Sequence, residues 1–468
     1  MLKDTRTCSL ERDLQAAGPS ASGRSINPGA GGPPRLARAR RARRALAGTL
    51  AVATVFAVAT ASSSSAAGST LEVAAVGPFT GPDAEFGALA MGMCVPAANT
   101  INADGGVLGH KLSCIPVDTR GDPADAIPVV AKLLANRSSL AAVDGPTSDE
   151  AAAVVPIFNR EKVTMFASAG QSEFDKIHFP YFWRLTPPDA ATGVAEGVWV
   201  WTKLHAKRVA AVYVPAATGQ GNDPNAIAAF KHLGGTVVLN QELTAGSSSY
   251  STEVAQLIRS KPQAVLLDLD SATAATYLSE LKQQGGLHFP FIASETASEA
   301  EWVTAVGGAI GQSNLKYIQA MEGYETSIGS AAWVAYRTAM TAASKQLSGY
   351  SSEYLTDPYE LTGWDFMNLM ALAMLSKHST DPAVYNSAIL GLTQPGAGKT
   401  VVHTFQEGKQ AIASGHQIQY VGASGRIVLD SFHSTTGAFA AFTIGPHSHP
   451  AGILTAGQIT PLLSHILK

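Results

Sequence analysis

Cysteine is almost missing from this chain: Cys8, Cys94 and Cys114 are the only three in 468 residues. They form no Cys-x-x-Cys pair, and neither His-Glu-x-x-His nor Gly-x-Ser-x-Gly occurs. The usual signatures of a zinc site, a zinc hydrolase and a serine hydrolase are therefore absent. Charge is also sparse, at 15% of residues, with no long acidic or basic tract after residue 45. Residues 1–45 carry ten Lys/Arg against three Asp/Glu; with the whole chain at −3, the remainder sits near −10. A body of that sign lacks the basic face that nucleic-acid binding requires, so no nucleic-acid partner is expected. What the chain has in quantity is apolar residues, 46% of the total, enough for a large core and more than one lobe.

The basic N-terminus reads as an address. Arg35–Arg44 precedes a run of small apolar residues from Ala45 to Ala61, which gives way to Ser62–Ser65 and Ala66-Ala67-Gly68-Ser69. Residues 1–67 are thus expected to be an export signal and spacer, with Ala59-Thr60-Ala61 and Ser65-Ala66-Ala67 as candidate cleavage sites. The alternative is an uncleaved anchor, since the run is at the short limit for a membrane span. The expected location is the periplasm or the outer face of the cell membrane. Cysteine use agrees with export. Cys94 and Cys114 fall on a helix and a neighbouring strand, where a disulfide fits an oxidising compartment, with two buried thiols as the alternative.

After the leader the pattern alternates. Leu71–Phe79 is a short buried-strand run, Glu85–Asn102 reads as a helix stopped by Gly105-Gly106, and Lys111–Asp118 is a second strand. Further strand-like runs at 140–145, 164–169, 208–215, 236–243, 264–268, 290–294 and 316–321 are separated by helical segments. This predicts an α/β protein with helices on both faces of parallel sheets, whose ligand crevice lies at the carboxyl ends of the strands. Two loops at that edge, Gly145-Pro146-Thr147-Ser148-Asp149 and Ser168-Ala169-Gly170-Gln171-Ser172, each follow a strand and open a helix, an arrangement that suits an anion. Asp189 stands after two prolines at a helix start, a position for an N-cap. Glu295 ends a strand at the same edge. Of Asp268 and Asp270, one is expected to face the cleft and the other to cap the next helix.

The segments Gly77-Pro-Phe-Thr-Gly81, Phe86-Gly87, Ile101–Gly109 and Asp118–Pro123, with the late Tyr420-x-Gly-x-x-Gly425 turn, resemble the leucine/isoleucine/valine-binding protein family, receptors of ATP-binding cassette importers. The resemblance covers nearly the whole chain after the leader. It implies a type 1 periplasmic binding fold, two doubly wound parallel-sheet lobes joined by a three-strand hinge. We place lobe 1 at residues 71–188 plus 318–434 and lobe 2 at 189–317 plus 435–468, with crossings at 184–189, near 309–314 and near 434–437. It further implies that Asp189 and Glu295 hold a ligand ammonium and that Thr147, Ser148, Ala169, Gly170 and Ser172 hold its carboxylate. Phe86 would cover the ligand side chain. Thr218 stands where the family usually has Tyr, and Asp270 joins the ligand set.

The function expected on this resemblance is an extracytoplasmic receptor, not an enzyme, closing on a small zwitterionic solute, an aliphatic L-amino acid first. A membrane permease would be its partner, and no cofactor or metal is implied. The alternatives are a sensor on the same fold, or a receptor for an amide, a urea or an aromatic acid. Two distractions are set aside. Gly396-Ala-Gly398-Lys399-Thr400 lacks the first glycine of a phosphate loop, Thr393 standing there, and His447-Ser-His449 reads as an exposed turn.

Overall fold

A computed structural model describes residues 69–467, apart from 82–83, 185, 216–221, 325–326 and 445–449. The leader, Thr218 and the His447/His449 pair lie outside the described residues. The first sheet contains β1 (Leu71–Gly77), β2 (Leu112–Asp118), β3 (Leu140–Thr147), β4 (Met165–Ser168) and β5 (Phe182–Trp183), in the order β2-β1-β3-β4-β5. All of its pairings are parallel. The second begins with β6 (Arg208–Tyr213), β7 (Thr236–Glu242), β8 (Ala264–Asp268), β9 (Phe291–Ala293) and β10 (Ile318–Tyr324). After a small parallel pair, β11 (Thr400–Val402) with β12 (Ile418–Tyr420), it is completed by β13 (Ala438–Thr443) and β14 (Pro450–Leu454). Its order is β14-β13-β10-β9-β8-β6-β7.

The two sheets repeat one plan. Read from β7 to β10, the second has the doubly wound order of the first, and only β13 and β14 run antiparallel on its far side. The central strands β1, β3, β8 and β9 are buried on both faces because helices cover both, which is why they are continuous apolar runs rather than alternating ones. In the second sheet Val265 and Leu267 pack with Tyr277 and Trp302, while Ala264 and Leu266 pack with Val194, Val198 and Phe230. The first sheet packs on the helices Glu85–Ala103 and Pro358–Lys377 on one face and on Ser148–Arg160 on the other. A disulfide joins Cys94 to Cys114, with Cα atoms 6.1 Å apart.

The crossings lie side by side. Arg184 pairs with Ser434, its N–H donating to the His433 carbonyl while Thr435 N–H donates to its own. Pro187 lies 3.6 Å from the point where a Cβ would stand on Gly323, and 3.3 Å from the same point on Gly437. The middle crossing therefore follows β10, past Tyr324, and not residues 309–314. Gly311, which falls within that expected crossing, has another job: at φ 87° it caps the C-terminus of the helix Ala300–Ile310. Residues 318–324 belong to the second sheet, paired with β9 and β13.

Candidate functional site

The site grows from the carboxyl edges of the two sheets. On the first, β3 and β4 end in register at Thr147 and Ser168, so their loops run together. Gln171 Nε2 donates to the Ser148 carbonyl, tying one loop to the other. The Thr147 hydroxyl is already committed: it donates to Glu150 Oε2 at 2.9 Å, and the Thr147 N–H donates to Oε1 at 3.0 Å, a capping box. Ala169 is fully buried, so it can offer only backbone, while Ser172 is exposed.

Arg184, which the sequence reading overlooked, organises this edge. It is fully buried, pairs with Asp175 at 2.7 Å, and donates to the carbonyls of Ala169, Gly170 and Gln171 at 3.2–3.3 Å and to Ser434 Oγ at 3.0 Å. One guanidinium thus fixes the orientation of the whole loop and holds it to the crossing strand. Its five donors in a rigid fork suit this task in a way a lysine would not.

Asp189 is not an N-cap. It is the first residue of the helix Asp189–Thr202, Pro188 is the cap, and no helix N–H bonds its side chain. Its N–H donates to the Gly170 carbonyl at 2.9 Å, and its carboxylate lies so close that a Cβ on Gly170 would stand 1.8 Å from Oδ1. Glycine is required there by close approach. Asp189 is only 7% exposed, and Oδ2 has no partner. Burial pushes its carboxyl well above the ordinary value, Glu295 pushes it further, and Arg184 partly opposes. Glu295, half-buried at the end of β9, also has an unpartnered oxygen, Oε2, and burial lifts its carboxyl to about 7. Two adjacent carboxylates with empty acceptor sites are a seat for a cation.

Tyr359 faces this pair from the start of the helix Pro358–Lys377, which packs on the other sheet. Although the residue is 37% exposed, its hydroxyl is held above the usual tyrosine value by burial and then by the charges of Glu295, Asp357 and Asp189. Only a distant Asp-Pro-Tyr helix start hinted at it in the sequence. Phe86, also 37% exposed, sits on the first turn of its helix with its ring uncovered. Asp270 does not belong to the site: it is exposed and caps the helix Ser271–Gln283, accepting from Ala272 N–H and Thr273 N–H at 3.1 and 2.9 Å. Asp268 is the residue that faces the cleft edge, accepting from Ser294 Oγ at 2.8 Å. The lysine of the phosphate-loop-like segment is likewise structural, since Lys399 Nζ donates to the carbonyls of Gly391 and Gln394 at 2.6 and 2.9 Å.

Among the described residues no helix is long and apolar enough to cross a membrane, and no group of three or more potential ligands could hold a metal. Comparison with known proteins gives a consistent picture. Residues 70–423 match the sequence model of the periplasmic binding protein family. An amino acid binding protein of Pseudomonas aeruginosa is 24% identical over 237 residues, half of this chain and 63% of that protein, so the chain spans less than two thirds of that relative. The leucine-specific-binding protein of Salmonella typhimurium is 24% identical over 277 residues, 58% of this chain and 71% of that one. Among solved structures, a branched-chain amino acid transporter substrate-binding protein from Streptococcus pneumoniae in complex with isoleucine superposes with TM-score 0.62 at 19% identity, over 82% of this chain and 99% of that one. A solute-binding protein of R. palustris in complex with benzoate superposes with TM-score 0.58 at 17% identity, over 82% and 96%. At these identities the structures speak for the fold.

Proposed function

The chain belongs to the periplasmic binding protein family, and on that footing we propose that it is an exported receptor of an ATP-binding cassette importer that closes its two lobes on an amino acid. The observation that carries this reading is the Asp189–Glu295 pair, one buried and one half-buried, each bearing an unpartnered oxygen, with the charge of Glu295 bearing on Asp189. A ligand ammonium would bridge the two, with Tyr359 closing from the opposite lobe. The carboxylate would lie against the loops at Thr147-Ser148 and Gly170–Ser172, the second of which Arg184 holds by the carbonyls of Ala169, Gly170 and Gln171. Phe86 would cover the side chain. The solute touches both lobes only when they are shut, so its preference for the shut state drives closure, and the closed form is what a permease would receive. No residue in this reading performs a chemical step.

The names of the relatives support an aliphatic L-amino acid as the narrower class. The benzoate-bound neighbour keeps aromatic acids in the comparison, yet two acidic side chains with free acceptor oxygens suit an ammonium better than a benzoate at that point. The test is a thermal-shift panel on protein freed of carried-over ligand by unfolding and refolding, with L-amino acids and benzoates side by side. Stabilisation by amino acids alone supports the reading; stabilisation by benzoates alone overturns it. Mass spectrometry of the recovered ligand, unchanged in mass, separates a receptor from an enzyme.

A further inference from the structure

The second lobe holds more negative charge than one ammonium can use. Behind Asp189 and Glu295 three more acids converge: Glu196, two turns along the same helix, Asp223 at the start of the helix Asn222–His232, and Asp268 at the end of β8. The charges of Asp268, Asp223 and Glu295 all bear on Glu196, and that of Asp268 bears on Asp223. Their placement follows from close packing. A Cβ on Gly193 would lie 2.1 Å from the Asn222 carbonyl oxygen, so the two helices nearly touch there. Glu196 is three residues on, on the same helix face, beneath the start of the next helix.

Glu196 and Asp223 are each 2% exposed, and Asn222 is 1% exposed. Glu196 Oε1, Asp223 Oδ1, Asp268 Oδ2 and the amide oxygen Asn222 Oδ1 are buried without a hydrogen-bond partner. Every one of them is an acceptor. Among the described residues, none of the four lies in an ion pair, and the one buried side-chain donor lacking a partner, Trp364 Nε1, is on the helix of the other lobe. Buried carboxyls that serve the fold are normally satisfied by it. A group of buried acceptors, once ionised, is completed by an occupant that brings donors and positive charge.

We infer that the group of buried acceptors running from Glu295 past Asp268 to Glu196 and Asp223 is a subsite for a second cationic group of the solute, an ammonium or guanidinium on the side chain of an amino acid. The inference rests on the amino-acid reading above and changes it at the side chain, from aliphatic to basic. Asp189 and Glu295 take the α-ammonium, and Glu196, Asp223, Asp268 and Asn222 supply the acceptors for the second.

Matched ligands test this on the unmodified protein. Calorimetric titrations compare L-lysine with L-norleucine, L-ornithine with L-norvaline, and L-2,4-diaminobutyrate with L-2-aminobutyrate, pairs in which little but the terminal amino group differs. The expected result is at least about tenfold tighter binding of the diamino member in one or more pairs, the size of one charge-assisted contact. In Glu196→Gln and Asp223→Asn protein that ratio should shrink toward one. Neutral members binding as tightly as, or tighter than, their partners in all three pairs would overturn the inference and leave the amino-acid reading standing. No binding by any of the six would overturn both.

Discussion

Asp365 and Glu196 are both buried acids in the middle of a helix, one in each lobe, and the molecule treats them in opposite ways. Asp365 receives four hydrogen bonds of 2.5–2.8 Å, from Tyr420 Oη, Ala423 N–H, Ser424 N–H and Ser424 Oγ. These hold its carboxyl to about 6 against the upward push of burial. It is how the Tyr420-x-Gly-x-x-Gly425 turn is fastened to the helix Pro358–Lys377. No donor meets Glu196 Oε1, and burial with three neighbouring acids drives its carboxyl far above the ordinary range. A buried acid that receives donors is part of the fold. One left without them is waiting for something the fold does not contain. The first lobe has one pair of the second kind, Asp144 and Glu360, both with unpartnered oxygens, and Trp364 Nε1 lies one helical turn from Glu360. There an unpartnered donor stands near the acceptors, which a bridging water could join to them; among the described residues the second lobe offers no such donor.

Several substitutions would break or sharpen this contrast. Asp365→Ala strands two backbone N–H groups and two hydroxyls, and should lower the free energy of unfolding by about 3 kcal/mol or more in urea titrations. Removing the Cys94–Cys114 bridge, whose residues are 20 apart in sequence, should cost about 3 kcal/mol, read the same way under non-reducing conditions.

The pH response comes next. Glu295 is raised to about 7, Asp268 to about 6 and Asp144 to about 8, in each case chiefly by burial. Carboxyls whose folded values lie above their unfolded ones favour the fold while protonated, and that contribution is lost as pH rises through the folded values. Ligand-free protein should therefore melt lower at pH 8 than at pH 5, by roughly 3 °C or more in scanning calorimetry. Bound amino acid should flatten the slope, because its ammonium keeps Asp189 and Glu295 ionised. The smallest effect is expected for Glu196→Gln without ligand: within about 1 kcal/mol of the parent, since a carboxyl driven far above its ordinary range is largely protonated and the amide nearly matches its shape. A loss as large as that for Asp365→Ala would mean that Glu196 serves the fold after all.

Much of the fold was legible because parallel strands buried on both faces are written as unbroken apolar runs; the positions of β1 to β4 and β6 to β9 follow from them. Glu295 was singled out for a related reason, since a polar residue just past such a run falls where crevices form, and Asp189 from its place after two prolines at a helix start. The middle crossing was misplaced because a helix C-cap and a hinge both use glycine, and sequence does not separate them. Tyr359 was missed because the acids whose charges bear on it, Glu295 and Asp189, lie far away in sequence, and Arg184 because its bonds to loop carbonyls and to the distant Ser434 leave no pattern in the sequence. Glu196 did leave a trace: it is a lone charge within Ala190–Trp201, otherwise an uncharged and mostly apolar helix. Asp270 was misassigned to the ligand because two acids at one strand end divide the work of capping and lining, and only the backbone decides which does which.

The most direct test is calorimetric titration of an amino acid from the panel into the parent protein, Asp189→Ala and Glu295→Ala at one pH. Each truncation should weaken binding by about a hundredfold or more, as expected when one member of a desolvated charge pair is removed, while urea unfolding shows both variants folded. Binding kept within a few-fold of the parent in both variants would contradict this, because the unpartnered carboxylates would then have no part in holding the ligand.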